Sequence, residues 1–251
     1  MQSSIEHIVG LLTGMNNEIT PPGPLLQLLE GRAGAEAGRL MLALPLIRMQ
    51  APKGSGEPIL VLPGFMADDN STFILRQYLK SIGYAAYPWG LGLNRKRMLD
   101  FLPPLTQQVR ELKDRHGQKV RLVGWSRGGI LAREIARDHA EIIDRVITIG
   151  SPVKGGVSIS SIGSLVKRET GLTSHELSEL LKLRQQSKIK VPIKAIYSKL
   201  DGIVAWKACI DDVNDDVEHF EIRGSHVGMG TSVEVFKLLS KLLVGTDPSA
   251  T

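Results

Sequence analysis

From residue 58 onward, short runs rich in branched aliphatic residues alternate with segments of helical periodicity. Six of these runs have the length and composition of strands: 58–62, 84–88, 119–124, 143–149, 191–197 and 216–222. Nearly continuous apolar runs are typical of parallel strands covered on both faces, and the crossovers that join such strands are right-handed in almost every known case. The pattern therefore predicts an α/β fold with a mostly parallel, doubly wound sheet of about six strands.

Four helices are predicted between the strands, over residues 71–81, 95–115, 127–139 and 232–244. The second of these contains Pro103 and Pro104. Proline lacks the N–H that an interior helical position donates, so we expect the two prolines to break or kink this helix.

Two regions fall outside the alternation, although all 251 residues are expected to form one domain. Residues 1–57 have helical rather than strand periodicity, so no extra leading strand is expected. Residues 153–190 are too many for a simple crossover, and 174–186 repeats leucine at helical spacing. This segment is either a core-packed helix or a cap over the substrate pocket. We favour a helical cap insertion because it follows a strand end on the expected catalytic face.

The apolar segment 40–49 has two interpretations. It is either a helix packed on the core or an anchor for transient contact with a membrane or lipid surface. We favour the core. No stretch approaches the roughly 20 apolar residues needed to span a bilayer.

Composition narrows the functional class. The net charge of +5 is spread along the chain, and the cluster Arg95, Lys96 and Arg97 has no aromatic residues beside it, so no nucleic-acid partner is expected. The single cysteine, Cys209, cannot form an intramolecular disulfide. With no signal-peptide pattern, we expect a cytoplasmic protein, with export as the alternative.

The sequence Gly-Trp-Ser-Arg-Gly centres on Ser126. Gly-x-Ser-x-Gly motifs are common by chance, but this one follows a predicted strand and precedes a predicted helix. At a tight turn from strand to helix, the apex serine exposes its hydroxyl, and small neighbours prevent collisions. Ser126 is therefore the candidate nucleophile.

A serine hydroxyl needs an imidazole base and a carboxylate that orients the imidazole. Asp201 follows the fifth predicted strand, and His226 lies in a glycine-rich loop after the sixth. The order Ser, Asp, His is the one that this fold uses. Four further aspartates could supply the acid, but they lie past the strand end on the return path, where charged residues are usually solvated: Asp211, Asp212, Asp215 and Asp216.

Attack by Ser126 on a carbonyl creates an oxyanion, which needs two fixed hydrogen-bond donors. The backbone N–H of Arg127, directly after the nucleophile, is the first candidate. The N–H of Phe65 is the second, because Gly64 permits a tight turn after the first strand.

Taken together, these segments resemble the bacterial lipase and esterase branch of the α/β-hydrolase superfamily. The resemblance is carried by VLPGF at 61–65, WGLGLN at 89–94, VGWSRGG at 123–129, IGSP at 149–152, YSKLDGIV at 197–204 and RGSH at 223–226. It implies an α/β-hydrolase fold, a catalytic Ser126, Asp201 and His226, and hydrolysis of carboxylic esters. Val153 stands where many lipases carry histidine, and no acidic loop has the spacing of a calcium site.

The resulting hypothesis is a carboxylic ester hydrolase, an esterase or lipase, that acts on small-molecule or lipid esters through an acyl-enzyme on Ser126 and requires no cofactor or metal. An acyltransferase with the same acyl-enzyme is the nearest alternative. A non-catalytic binding protein with this fold is the other, and the presence of all three candidate residues in order disfavours it.

Overall fold

The computed structural model describes residues 19–154 and 187–244. Within them, six parallel strands form one sheet in the order β2-β1-β3-β4-β5-β6. The strands are β1 (Pro58–Leu62), β2 (Ala85–Pro88), β3 (Val120–Trp125), β4 (Ile143–Ile149), β5 (Ile193–Tyr197) and β6 (Val217–Glu221). The predicted parallel sheet is confirmed, and each predicted strand is present to within two residues at either end.

Six α-helices accompany the sheet in the described part of the chain. They are α1 (Pro24–Leu29), α2 (Ala33–Gln50), α3 (Phe73–Ser81), α4 (Met98–His116), α5 (Arg127–Asp138) and α6 (Val233–Leu242). Helices α2, α3 and α6 share one apolar core with one face of the sheet, while α4 and α5 share a second core with the other. Both sheet faces are therefore covered. The proposed cap helix at 174–186 lies outside the described residues.

Of the break or kink expected at Pro103 and Pro104, the break is wrong, because α4 continues through both prolines. The helix buries one stripe, formed by Phe101, Leu105 and Val109 with Leu112, against the sheet. Both prolines lie on the exposed side. There, water can hydrate the carbonyls that lose their helical partners, so packing of the buried stripe outweighs the two missing hydrogen bonds.

The N-terminal region is helical, as expected, and no strand precedes β1 between residues 19 and 57. In the segment 40–49, however, only Leu40 and Ile47 are buried in the core. Leu42 is 86% exposed and Met49 is 81% exposed. The core-packed interpretation therefore holds for one side of α2 only. No helix in the described ranges combines the length and apolar character needed to cross a membrane.

Candidate active site

The loops that follow β1, β3, β5 and β6 carry the five candidate residues. Because all six strands are parallel, their carboxyl ends lie at one edge of the sheet, where ligands bind in open α/β folds. The order of the strands places β4 between the strand that precedes Ser126 and the strand that precedes Asp201.

Ser126 lies between β3 and α5, at a turn with backbone angles φ 52° and ψ −121°. A positive φ is costly for a residue with a side chain, on the order of 1–3 kcal/mol, and such strain is concentrated at functional sites. The turn depends on its glycines: a Cβ at Gly124 would overlap the backbone of Gly129, and one at Gly128 would overlap the Leu62 carbonyl. This is the strained apex that the sequence motif predicts.

Asp201 and His226 form a buried pair. His226 Nδ1 lies 2.6 Å from Asp201 Oδ2, while Asp201 Oδ1 accepts the backbone N–H groups of Ile203 at 2.8 Å and Val204 at 2.7 Å. The side chains are 5% and 2% exposed. Burial lowers the pKa of His226, but the charge and hydrogen bond of Asp201 outweigh it, so the pKa is raised above its usual value.

The end of β4 brings Ser126 and His226 towards each other. The Ser126 N–H donates to the Ile149 carbonyl at 2.7 Å, and a Cβ on the next residue, Gly150, would lie 3.2 Å from His226 Nδ1. Among the described residues, no hydrogen bond joins Ser126 Oγ to His226. Hydrogen bonds of this kind are often long without substrate and tighten when it binds.

The loop after β1 lies against the nucleophile, since a Cβ at Gly64 would be 3.4 Å from Ser126 Cβ. Its backbone is fixed by Asn94, which is fully buried. Asn94 Nδ2 donates to the Pro63 carbonyl at 2.9 Å, and the Asn94 carbonyl accepts the Met66 N–H at 2.9 Å. Within the described chain, no recorded hydrogen bond uses the N–H of Phe65. It therefore stays available as the proposed oxyanion donor.

Arg127 connects this loop to α5 through its side chain. Its guanidinium lies 5.4 Å from the Phe65 ring centre and donates to the carbonyls of Asn94 and Lys96. Burial lowers the pKa of Arg127 to about 10, which still leaves the side chain charged near neutral pH. Arg127, whose N–H is the first proposed oxyanion donor, thus also contacts the loop of Phe65, whose N–H is the second.

A glutamate from the N-terminal helical region joins the two loops of the proposed acid and base. Glu30 Oε1 accepts the N–H of Gly202 at 2.7 Å and the N–H of His226 at 2.8 Å, and Oε2 accepts the N–H of Val227 at 2.9 Å. One carboxylate thus accepts three backbone N–H groups and fixes the loop of Asp201 relative to the loop of His226. The charge of Glu30 also contributes to the raised pKa of His226.

Glu36, on the first turn of α2, binds the same loop through Ser225, the residue that precedes His226. Its carboxylate accepts the Ser225 N–H at 3.1 Å and the Ser225 hydroxyl at 2.6 Å, and it pairs with Arg32 at 3.1 Å. Ser225 is fully buried. The N-terminal region therefore supports the site directly, in addition to covering the core.

Sequence reasoning missed Glu30, Glu36 and Asn94. One signal was available for the glutamates: they are the only acidic residues between Ile19 and Gly56, in a segment that is otherwise mostly apolar or basic. An acidic residue retained in such a segment is a reason to look for a buried partner. Asn94 gave no signal beyond its place in the WGLGLN segment.

Three of the four alternative acids form ion pairs elsewhere, and the fourth, Asp216, is exposed. Asp211 forms a buried ion pair with Arg133 at 2.5 Å and also binds Asn214. Although burial acts to raise the pKa of Asp211, Arg133 and these hydrogen bonds lower it to about 2. Asp212 pairs with Lys154, and Asp215 pairs with Lys188. Asp201 is the aspartate that contacts His226.

Comparison with known proteins fits this geometry. The model of the palmitoyl protein thioesterase family matches residues 58–200, more than half of the chain. The chain belongs to the palmitoyl protein thioesterase family. The match contains Phe65, Ser126 and Arg127 but stops one residue before Asp201, so it does not cover Asp201 or His226. A search of the curated proteins by sequence gave no match.

Solved structures agree with the family assignment on the fold. Mature Bacillus licheniformis lipase BlEst2 superposes with a TM-score of 0.60 at 19% identity, covering 78% of this chain and 95% of that one. Paleococcus ferrophilus monoacylglycerol lipase gives 0.54 at 13% identity, covering 74% and 93%. The thioesterase domain from the curacin biosynthetic pathway gives 0.50 at 14% identity, covering 76% and 92%. The predicted α/β-hydrolase fold is confirmed, and this member of the thioesterase family is an α/β-hydrolase of the lipase, esterase and thioesterase type.

Proposed function

We propose that this chain hydrolyses carboxylic acyl esters through a covalent acyl-enzyme on Ser126. The observation that carries the proposal is the buried pair of Asp201 and His226, 2.6 Å apart, at the same edge of the sheet as a serine held at a positive φ. A base oriented by a buried carboxylate and a serine that this base can reach are what acyl transfer requires.

The proposed reaction has two steps. His226 Nε2 takes the proton from Ser126 Oγ as the oxygen bonds to the carbonyl carbon, and the N–H groups of Phe65 and Arg127 bind the oxyanion. The bond to the leaving group then breaks, and His226 gives the proton to the departing alcohol or thiol. Water repeats the sequence on the acyl-enzyme, which releases the carboxylic acid and restores Ser126.

Both oxygen esters and thioesters are compatible with this mechanism, because the oxyanion and the acyl-enzyme are the same for the two. The family assignment supports thioesters of long-chain acyl groups as a candidate substrate class. A panel of oxygen and sulfur esters with acyl groups from acetyl to palmitoyl measures this preference.

Fluorophosphonate labelling tests the nucleophile directly, since the reagent phosphonylates only an activated serine. We expect one label per chain, located on Ser126 by peptide mass spectrometry, and no label on Ser126→Ala. A Ser81→Ala variant, changed at the end of α3, is the matched control and should label fully. Absence of label on the folded wild-type protein would remove the proposal.

Glu30 gives a second test, this one of the supporting structure. Replacing Glu30 with glutamine removes a negative charge near His226 and points an amide N–H at one of the three backbone donors. Because displacements of about 1 Å cost up to roughly 100-fold in rate, we expect kcat to fall by about 10- to 100-fold with little change in KM.

The pH profile separates this role from a general loss of structure. Neutral His226 is the base, so kcat/KM falls as pH drops below the pKa of His226. Without the charge of Glu30 that pKa is lower, and the acidic limb of the profile moves to lower pH. The control is Glu111→Gln on the exposed side of α4, which should match the wild type. Unchanged kcat and an unmoved acidic limb in Glu30→Gln would refute the positioning role.

A further inference from the structure

The outward side of α2 is apolar along its length. Leu42 is 86% exposed, Met49 81%, Met41 57% and Leu46 54%. Leu42, Leu46 and Met49 follow one another at helical spacing, so they form one stripe on the side of α2 opposite Leu40 and Ile47. Contiguous exposed apolar surface of this kind marks an interaction site more often than a free surface.

A groove between α2 and α3 extends the exposed apolar surface beyond this stripe. Met41 and Leu44 of α2 line one wall, and Phe73 and Ile74 of α3 line the other. Phe73 is itself 50% exposed. The stripe and the groove together are called the α2 face below.

Basic residues predominate among the exposed charges of α2 and of α3 and α6, which share its core. Five of them are exposed: Arg39, Arg48, Lys80, Lys237 and Lys241. Within the described ranges, no ion pair includes any of the five. Two acidic residues lie on the same three helices: Glu36 is half-buried and binds Ser225, and Glu234 is exposed and accepts the Arg223 N–H.

We propose that the α2 face docks the protein on an anionic lipid surface. Leucine and methionine side chains insert into the boundary between headgroups and acyl chains, and the surrounding lysines and arginines bind anionic headgroups. The inference goes beyond ester hydrolysis and does not depend on Ser126, so it stands or falls separately from the proposed function.

Charge argues against a second copy of this chain as the occupant. A two-fold interface uses the same patch on both copies, so it would bring the basic residues of both copies into one interface, where like charges repel. A protein partner is also less favoured, because the exposed apolar residues of α2 are flexible aliphatic side chains, whereas interface hot spots are enriched in tryptophan and tyrosine.

The position of α2 relative to the proposed site suits this role. Its first turn is fixed to the histidine loop through Glu36 and Ser225. The exposed stripe begins at Leu42, six residues or about 9 Å further along the helix axis, so the same rigid helix carries the proposed docking surface and a contact with the histidine loop.

Vesicle flotation tests the proposal with the full chain and two lipid compositions. We expect wild-type protein to float with equimolar phosphatidylcholine and phosphatidylglycerol vesicles and to bind phosphatidylcholine vesicles at least about 10-fold more weakly. Leu42→Ser combined with Met49→Ser should weaken anionic binding by roughly 100-fold, because two exposed anchors are lost. Lys237→Gln combined with Lys241→Gln should weaken it by roughly 30-fold.

Controls come from the opposite face of the sheet. Leu99→Ser on α4, where the leucine is 60% exposed, should bind like the wild type, as should Lys113→Gln combined with Lys119→Gln. Ser126→Ala should also bind like the wild type, which separates docking from catalysis. The proposal is overturned if the wild type binds neither vesicle, if the Leu42 and Met49 variant binds equally well, or if sedimentation shows a wild-type dimer that this variant dissociates.

Discussion

Replacing Ser126 by alanine is expected to lower kcat for ester hydrolysis by roughly 10⁶-fold, the loss seen when a nucleophile is removed from a serine, histidine and carboxylate triad. The change deletes the oxygen that forms the acyl-enzyme. It leaves the N–H groups of Phe65 and Arg127 in place, so a small residual rate over water should survive. The measurement is the initial rate with a chromogenic acyl ester, at enzyme concentrations high enough to detect that residual rate.

The stability of the Ser126→Ala protein should be close to that of the wild type. Alanine has the same Cβ as serine, so the strained turn at φ 52° is neither relieved nor worsened. Thermal unfolding of the two proteins checks this, and Ser81→Ala is again the matched control for activity. A Ser126→Ala protein that is folded and retains more than about a hundredth of wild-type kcat would mean that another group is the nucleophile.

The centre of the sheet was predictable because its strands are buried on both faces and are therefore largely apolar. Pro58–Leu62 is buried at all five positions and has the predicted bounds. Ile143–Ile149 also has the predicted bounds, and its five buried positions are Ile143 and the run 146–149. The turn at Ser126 was predictable too, because its geometry demands small residues at fixed positions and the sequence supplies Gly124 and Gly128 there.

Other features depend on contacts that no local pattern encodes. Glu30 accepts the N–H of a residue 196 positions away, and Glu36 reaches one 189 positions away. The continuity of α4 through its two prolines was not predicted. It depends on the packing of the buried stripe, which outweighs local helix propensity and cannot be read from the sequence. The sequence of α2 predicted a helix but did not show which of its sides is exposed. Apolar residues occupy every side of the segment 40–49, so no pattern identifies the ones that face the core.

The N-terminal region supports the proposed site and also carries the proposed docking surface, and both follow from where its helices lie. Glu30 and Glu36 bind the loops of Asp201 and His226, while Leu42, Met49 and Arg39 are exposed on the outer side of α2. A helix that already covers the core on one side and binds the His226 loop at one end can present its remaining side to a surface without any rearrangement. Positioning of the site and docking are thus separable by mutation, through Glu30 for the first and Leu42 with Met49 for the second.

Replacing Asp201 by asparagine is expected to lower kcat by about 10⁴-fold. In the proposed mechanism, Asp201 Oδ2 accepts a hydrogen bond from His226 Nδ1–H, which keeps the proton on Nδ1 and leaves Nε2 free to take the proton of Ser126. An asparagine fixed by the N–H groups of Ile203 and Val204 points its amide N–H at Nδ1 instead. His226 then carries its proton on Nε2 and cannot act as the base. The same change removes the negative charge that raises the pKa of His226, so the acidic limb of kcat/KM moves to lower pH.

Asp212→Asn is the matched control, because it changes a nearby carboxylate that pairs with Lys154 at the surface and was itself a candidate acid. It should retain wild-type kcat and an unshifted pH profile. Fluorophosphonate labelling of Asp201→Asn should be slowed along with kcat, since both reactions need the same proton transfer from Ser126. If Asp201→Asn loses less than about 10-fold in kcat while Asp212→Asn loses more, the acid has been assigned to the wrong aspartate, although Ser126 and His226 would keep their proposed roles.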